Sequence, residues 1–296
     1  MLTSILPAIA GDPFQLPVAS ARARTAKSAG ASVTEKDELD AFAGDRSFVM
    51  SFARGVSVIQ AFAHVSRPLS IAEISHRIHI PRAAVRRLLH TLCELGFVRV
   101  VGLRYALTPK VLQLGHAFAS SNDAVLGVQP IVSNLAARLH SFCALLVQED
   151  DETMLMCVAG TSASSVERKL APGPGSRAPL YASASGLVFL SSFTERQLDA
   201  YFERVAMLPL TFRTQTVPEQ IRESVSRVQQ RGYAVCDRTF SNDLRSVAMP
   251  VHNARGSVVA AMVAVVPADR LTDQELRGAL LPELGSAAAQ AARHLQ

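Results

Sequence analysis

The sequence predicts an α+β chain in two parts: a small winged helix-turn-helix near the N-terminus, then a larger domain of antiparallel strands with helices to one side. Three observations predict it. The positive charge is concentrated in one short stretch. That stretch carries two short helical patterns joined by a tight turn and followed by a hairpin. The remainder alternates apolar strand runs with helical periods.

A chain of 296 residues has room for two domains, each of roughly 100–200 residues. Net charge is +5, and it is unevenly spread. From Ser47 to Lys110 there are nine Lys/Arg against two acids, Glu73 and Glu94. The stretches before and after each come to −1. A basic segment beside a neutral one is the footprint of a polyanion binder, because each phosphate neutralised releases a condensed counterion. A solvated basic face would carry the same charge, and charge alone does not choose between them. The four cysteines, Cys93, Cys143, Cys157 and Cys236, are scattered in apolar surroundings without a C-x-x-C pair, as reduced core residues are. No apolar run reaches membrane-spanning length and the start lacks a charged signal region, so the expectation is a cytoplasmic protein with no membrane partner.

Residues 1–46 mix Pro, Gly, Ala and both charges without periodicity and read as a disordered leader. A helix then follows from Phe48, with Phe52, Val56, Ile59 and Phe62 at helical spacing and Pro68 closing it. In LSIAEISHRIHI, Ser70 caps a short helix carrying Ile71, Ile74 and Ile78, and Pro81 stands where a first-turn proline starts the next helix. That helix, PRAAVRRLLHTLCELG, buries Val85, Leu88, Leu89, Leu92 and Cys93, carries Arg82, Arg86 and His90 on a second stripe, and ends at Gly96. FVRV and RYAL then form a hairpin whose tip holds Gly102 and Arg104. The winged helix-turn-helix is assigned to 47–109, a linker helix to 110–123 and the second domain to 124–296. In the last, strands CALLVQ and TMLMCVA flank EDDE. The Gly/Pro loop APGPGSRAPL leads into a helix from about Ala182, and helices follow near 194–204 and 218–231. Strands at YAVC, RSVAMPV and SVVAAMVAVV and a helix from Thr272 complete it.

An α-helix fits the major groove of double-stranded DNA, where arginine forks onto guanine or phosphate. Arg86 is the candidate for base contact, and Arg82 and Arg87 for mixed backbone contact; Ala83, His90 and Ser70 complete the DNA-facing set, with Arg104 for the minor groove. Taken alone, Arg86 reads equally as an ordinary surface arginine.

The runs ARGVSVIQAF, LSIAEISHRIHIPRAAVRRLLHTLCELGFVRV and RYALTPKVLQLG resemble the DNA-binding half of the IclR family of bacterial transcription regulators. PGSRAPLYASASG, RGYAVCD and LRSVAMPVHNARGSVVAAMVAVV resemble its effector half, so the likeness spans about Ser47 to Leu295. SFARGVSVIQAF is most similar to the branch controlling catabolism of aromatic acids such as protocatechuate and 4-hydroxybenzoate. The resemblance implies a GAF-like α/β effector-binding domain, operator DNA as partner, and a homodimer or dimer of dimers, with RNA polymerase a further candidate partner. One departure is Arg82-Ala83-Ala84-Val85-Arg86-Arg87, where relatives often carry two hydroxyl residues; it implies a different operator.

The resemblance also implies that an effector carboxylate sits on the helix-start amides of Ala184 and Ser185, facing Cys236, Ser246, Val263 and Val265. Leu170, Arg177 and Tyr181 are further candidates for that site. Apart from any family, a helix start rich in small residues presents free amides to an anion, although an ordinary serine N-cap reads the same. Where relatives have polar groups this chain has Cys236, Val263 and Val265, so the pocket is expected to be apolar. That favours an aromatic carboxylate over a small 2-oxo acid. Arg177 is either a polar partner of the ligand or the structural partner of Glu167 or another acid.

An enzyme is the rival from another class. The nucleophile-elbow pattern fails at Ala184, no H-E-x-x-H, phosphate loop or dinucleotide fingerprint appears, and the eight histidines are scattered. No cofactor, metal or catalytic residue is expected. A regulator of 2-oxo acid metabolism and an effector-independent architectural DNA binder are the remaining alternatives, and a thermal-shift panel of aromatic and short-chain acids separates them.

Overall fold

The computed structural model describes residues 42, 44–63, 65–160, 173–270 and 272–295. Most of the expected leader over 1–46 lies outside them, as do Leu170 and Glu167. No described helix is long and apolar enough to cross a membrane.

Among the described residues the N-terminal unit has three helices, α1 (Met50–Gln60), α2 (Ile71–Ile78) and α3 (Arg82–Glu94), then a hairpin of β1 (Val98–Val101) and β2 (Arg104–Leu107). Ser70 caps α2 reciprocally: its side chain accepts from the Glu73 amide, and the Glu73 carboxylate accepts from the Ser70 amide. Such a cap contributes about 1 kcal/mol. The turn into α3 is made by His79 in the left-handed region (φ 51°), followed by Ile80 and Pro81. Ser75 Oγ donates to the Ile80 carbonyl across it. Leu69 pairs with Tyr105 through two backbone hydrogen bonds, adding a third short segment to the wing. Val58, Leu69, Ile74, Val85, Leu89 and Val98 form the core of this unit. Truncating Leu89, which is fully buried, would cost on the order of 2–5 kcal/mol.

The apolar residues read at helical spacing along α1 do not all face the core. Phe62 packs in the core, but Phe52 and Val56 face out (73% and 40% exposed) while Val58 and Ala61 turn in. Sequence spacing groups two stripes of this helix that the fold separates.

Helix α4 (Leu112–Ser121) leads to α5 (Asp123–Leu139). A six-stranded sheet follows, made of β3 (Phe142–Glu149), β4 (Glu152–Gly160), β5 (Arg177–Pro179), β6 (Ala234–Asp237), β7 (Leu244–His252) and β8 (Val258–Pro267), in the order β5-β4-β3-β8-β7-β6 with every neighbouring pair antiparallel. Between β5 and β6 come α6 (Ala184–Leu190), α7 (Glu195–Arg204) and α8 (Pro218–Arg231); α9 (Leu281–Ala291) closes the chain. Helices cover both faces, not one. Phe142, Ala144, Leu146 and Val263 point into a core shared with α6 and α8. On the opposite face Cys157 Sγ meets the Val125 carbonyl of α5, and Met249 lies against Gly285 of α9. The reason is strand alternation: the sheet has apolar residues on both faces, and each face needs a cover.

Strand β5 was expected to be part of a loop. Its three residues pair with Glu152, Thr153 and Met154 of β4, a short edge strand whose terminal Pro179 costs no ladder hydrogen bond.

Candidate functional site

The first candidate site is the outer face of α3. Burying Val85, Leu89 and Leu92 fixes the rotation of the helix, and by its 3.6-residue period the opposite side is presented to solvent. Arg82, Ala83, Arg86, Arg87 and His90 are all exposed there. None of the carboxylate pairs formed among the described residues involves Arg82, Arg86 or Arg87. Three uncompensated guanidiniums on one exposed helix can take phosphate or guanine as their acceptor.

The second is a cavity of about 110 Å³ between the sheet and α6, on the order of the ~150 Å³ space that holds a benzene ring. Its floor is one register row: Cys236 faces Ser246, Ser246 faces Val265, and Val265 faces Phe142 across four adjacent strands. The next row of this face sets Val263 beside Ala144. Leu146, Leu155 and Ala178 extend the apolar wall, Ser183, Ala184 and Ser185 form the helix-side rim, Leu244, two residues before Ser246 on β7, continues the floor, and Phe240 and Ser241 complete the lining. Among the described residues no charged side chain lines it. Burial pushes the Cys236 thiol up to about 11, so it too is neutral at physiological pH.

Local structure explains the rim. Ser183 caps α6, its Oγ accepting from the Gly186 amide and donating to the Pro179 carbonyl at 2.9 Å. Ser185 Oγ is 3.2 Å from Thr153 Oγ1 of β4. The amides of Ala184 and Ser185, first in the helix, have no intrahelical acceptor. Gly186 allows the helix to lie this close: a Cβ there would stand 2.2 Å from the Leu180 backbone.

Two family descriptions match the chain. "Bacterial transcriptional regulator IclR C-terminal" matches residues 116–293 and "IclR helix-turn-helix domain" matches 51–102. The chain belongs to the IclR family. It is 38% identical over 248 residues to the Pca regulon regulatory protein of Pseudomonas putida, covering 83% of this chain and 84% of that one. Among solved structures it resembles a transcriptional regulator of Rhodococcus sp. RHA1 (30% identity, TM-score 0.73, 84% and 98% of the two chains). An IclR homolog of Microbacterium hydrocarbonoxydans, crystallised with 4-hydroxybenzoate, has the same fold at 19% identity (TM-score 0.65, 83% and 98% covered). This IclR-family chain is therefore a transcriptional regulator and not an enzyme.

The expected site residues fall into two groups. Ala184, Ser185, Cys236, Ser246, Val263 and Val265 come together around the cavity, while Arg177 and Tyr181 are not among its lining residues. Alternation along β5 turns Ala178 inward and Arg177 outward, where its guanidinium pairs with Glu149 at 2.6 Å and Glu152 at 3.2 Å. It thus has the structural pairing, with acids other than Glu167. The Tyr181 hydroxyl bonds both the amide and the carbonyl of Leu208, at 3.0 Å each. In the DNA-binding half, Ser70 spends its hydroxyl on the cap. Arg104, expected in the minor groove, instead reaches back to the Glu73 carboxylate at 2.8 Å and to the Pro68 carbonyl. The tip is occupied by Gly102 and by Leu103, 96% exposed.

Sequence reasoning missed most of the hydrophobic wall. Alternation of Phe142, Ala144 and Leu146 along β3 was a usable signal. Nothing in the loop Arg238-Thr239-Phe240-Ser241 marks Phe240 and Ser241 as part of the lining.

Proposed function

We propose that this IclR-family regulator controls catabolic genes in response to a single-ring aromatic carboxylic acid bound between the sheet and α6. DNA binding is assigned to 47–109, the link to 110–123 and effector binding to 124–296. The observation that carries this reading is the composition of the cavity: apolar walls of one-ring size, no charge among the described residues, and the hydroxyls of Ser183, Ser185, Ser241 and Ser246 on its lining. A ring gains roughly 25 cal/mol per Å² of apolar area buried there, and a 2-oxo acid of three or so carbons has little such area to offer. The carboxylate is met by neutral donors, the amides of Ala184 and Ser185 and the hydroxyls of Ser241 and Ser246. The 4-hydroxybenzoate held by the Microbacterium homolog and the Pca regulon of the Pseudomonas relative support the same choice.

The DNA-facing set is Arg82, Ala83, Arg86, Arg87 and His90, with Arg86 reading a base. One winged helix covers a half-site, so a homodimer is required for a palindromic operator. Phe52, Leu112 and Phe118, 73%, 74% and 50% exposed, supply apolar surface for it; sedimentation at micromolar concentration showing only monomer would remove that part.

Calorimetry on the full chain tests the effector. 4-Hydroxybenzoate should bind more tightly than glyoxylate, and Val263→Ser with Val265→Ser should weaken the aromatic acid by about 1–3 kcal/mol while leaving glyoxylate unchanged or tighter. If no aromatic acid binds, or glyoxylate binds better than all of them, the effector reading is wrong.

A further inference from the structure

A second concavity, of about 460 Å³, lies between β6, α8 and the segment around Arg213, with Cys236 bordering both it and the aromatic cavity. Its chemistry is the opposite of its neighbour's. Three arginines, Arg213, Arg227 and Arg231, line it against one acid, Asp237. Asp237 is already shared, its carboxylate meeting both Arg213 and Arg238. Arg227 donates to the neutral Ser224 hydroxyl at 2.8 Å, and that hydroxyl donates on to Gln215 Oε1. Arg231 forms no carboxylate pair among the described residues. Two guanidiniums four residues apart on α8 thus share one helix face without an acid between them, an arrangement that repels unless an anion intervenes.

We infer that this concavity is a second small-molecule site, selective for a ligand carrying two negative charges on carboxylate or phosphate oxygens. Three cations against one acid leave an excess of two. Guanidinium forks match planar pairs of anionic oxygens. The side-chain hydroxyl of Tyr233 adds a polar partner on the same lining. The site is placed to influence the aromatic cavity through one piece of chain. Asp237 and Thr239 line the polar site, whereas Phe240, Ser241 and Leu244 line the apolar one. Thr239 holds that segment in place, Oγ1 donating to the Ala182 carbonyl beside α6 and its own carbonyl accepting from Thr214 Oγ1 at 2.7 Å. Any coupling must be reciprocal: what the dianion does to aromatic-acid affinity, the aromatic acid does to the dianion's.

The test is calorimetry on the full chain with succinate, inorganic phosphate and acetate. Succinate or phosphate should bind saturably, at least about tenfold more tightly than acetate, and whichever is the tighter identifies an organic diacid or a phosphorylated one. Arg227→Gln with Arg231→Gln, both exposed positions, should weaken that binding by about tenfold or more with the melting temperature unchanged. The idea is overturned if neither dianion binds below about 10 mM, or if the double variant binds them as the parent does. Neither result touches the aromatic-acid reading, which rests on the other cavity and is tested with a different ligand.

Discussion

The outer face of α3 and the junctions between elements of the sheet domain use arginine in opposite ways. In the sheet domain Arg138, Arg177, Arg204, Arg213, Arg222 and Arg238 each meet a carboxylate. These pairs tie elements together: Arg222 of α8 reaches Glu195 and Asp199 of α7, and Arg204 reaches Asp151 in the β3–β4 turn. On α3, Arg82, Arg86 and Arg87 stand exposed with no acid partner among the described residues. Exposed pairs contribute only about 0–1 kcal/mol each, so the fold needs few of them. An arginine that a helix holds away from every carboxylate is instead available to an anion from outside. Arg104 marks the boundary between the two uses, since it sits in the wing and is tied to Glu73.

The largest expected effect concerns the sheet domain alone. Gly186→Val would drive a side chain into the Leu180 backbone and should cost on the order of 3 kcal/mol or more. Thermal unfolding would show it; an unchanged melting profile would mean that α6 is not packed as described. A smaller effect separates the two kinds of arginine. Arg86→Ala should lose about 1–3 kcal/mol of affinity for a duplex that the protein itself selects from a random pool, and should relax the choice at one base pair. Binding equal to the parent's would remove Arg86 from the reading face.

The smallest is a pH effect at the start of α2. Hydrogen bonds from the side chain and amide of Ser70, then the Arg67 and Arg104 guanidiniums, lower the Glu73 carboxyl from 4.5 to about 2. A depressed carboxyl contributes stability that is fully present above its unfolded value and is lost as pH falls from about 4.5 toward 2. Glu73→Gln should flatten that part of the acid-unfolding profile; identical profiles would show that the capping box has no such role.

How far the sequence could be read depended on the distance over which each feature is decided. The winged helix was legible because its punctuation is local: Ser70 as cap, Pro81 before α3, Gly96 and Gly102 with positive φ (77° and 62°) at the turns. Six expected cavity residues were brought together because a family likeness supplied what spacing could not, the pairing of distant strands. The rest was decided by long-range partners. Arg104 is held by an acid 31 residues away, and Arg177 by acids on β3 and β4. Covering both sheet faces depended on where α5 and α9 pack. The arginine-lined concavity was invisible because Arg213, Arg227 and Asp237 meet only in three dimensions.

The salt dependence of DNA binding tests the contrast between free and paired arginines most directly. The slope of log affinity against log salt should be measured for the parent, Arg87→Ala and Arg222→Ala on the same selected duplex. Removing Arg87 should flatten the slope by about one unit, because one phosphate contact and its released counterion are lost, while Arg222→Ala should leave it unchanged. Equal slopes for the parent and Arg87→Ala, or a flattened slope for Arg222→Ala, would contradict the account.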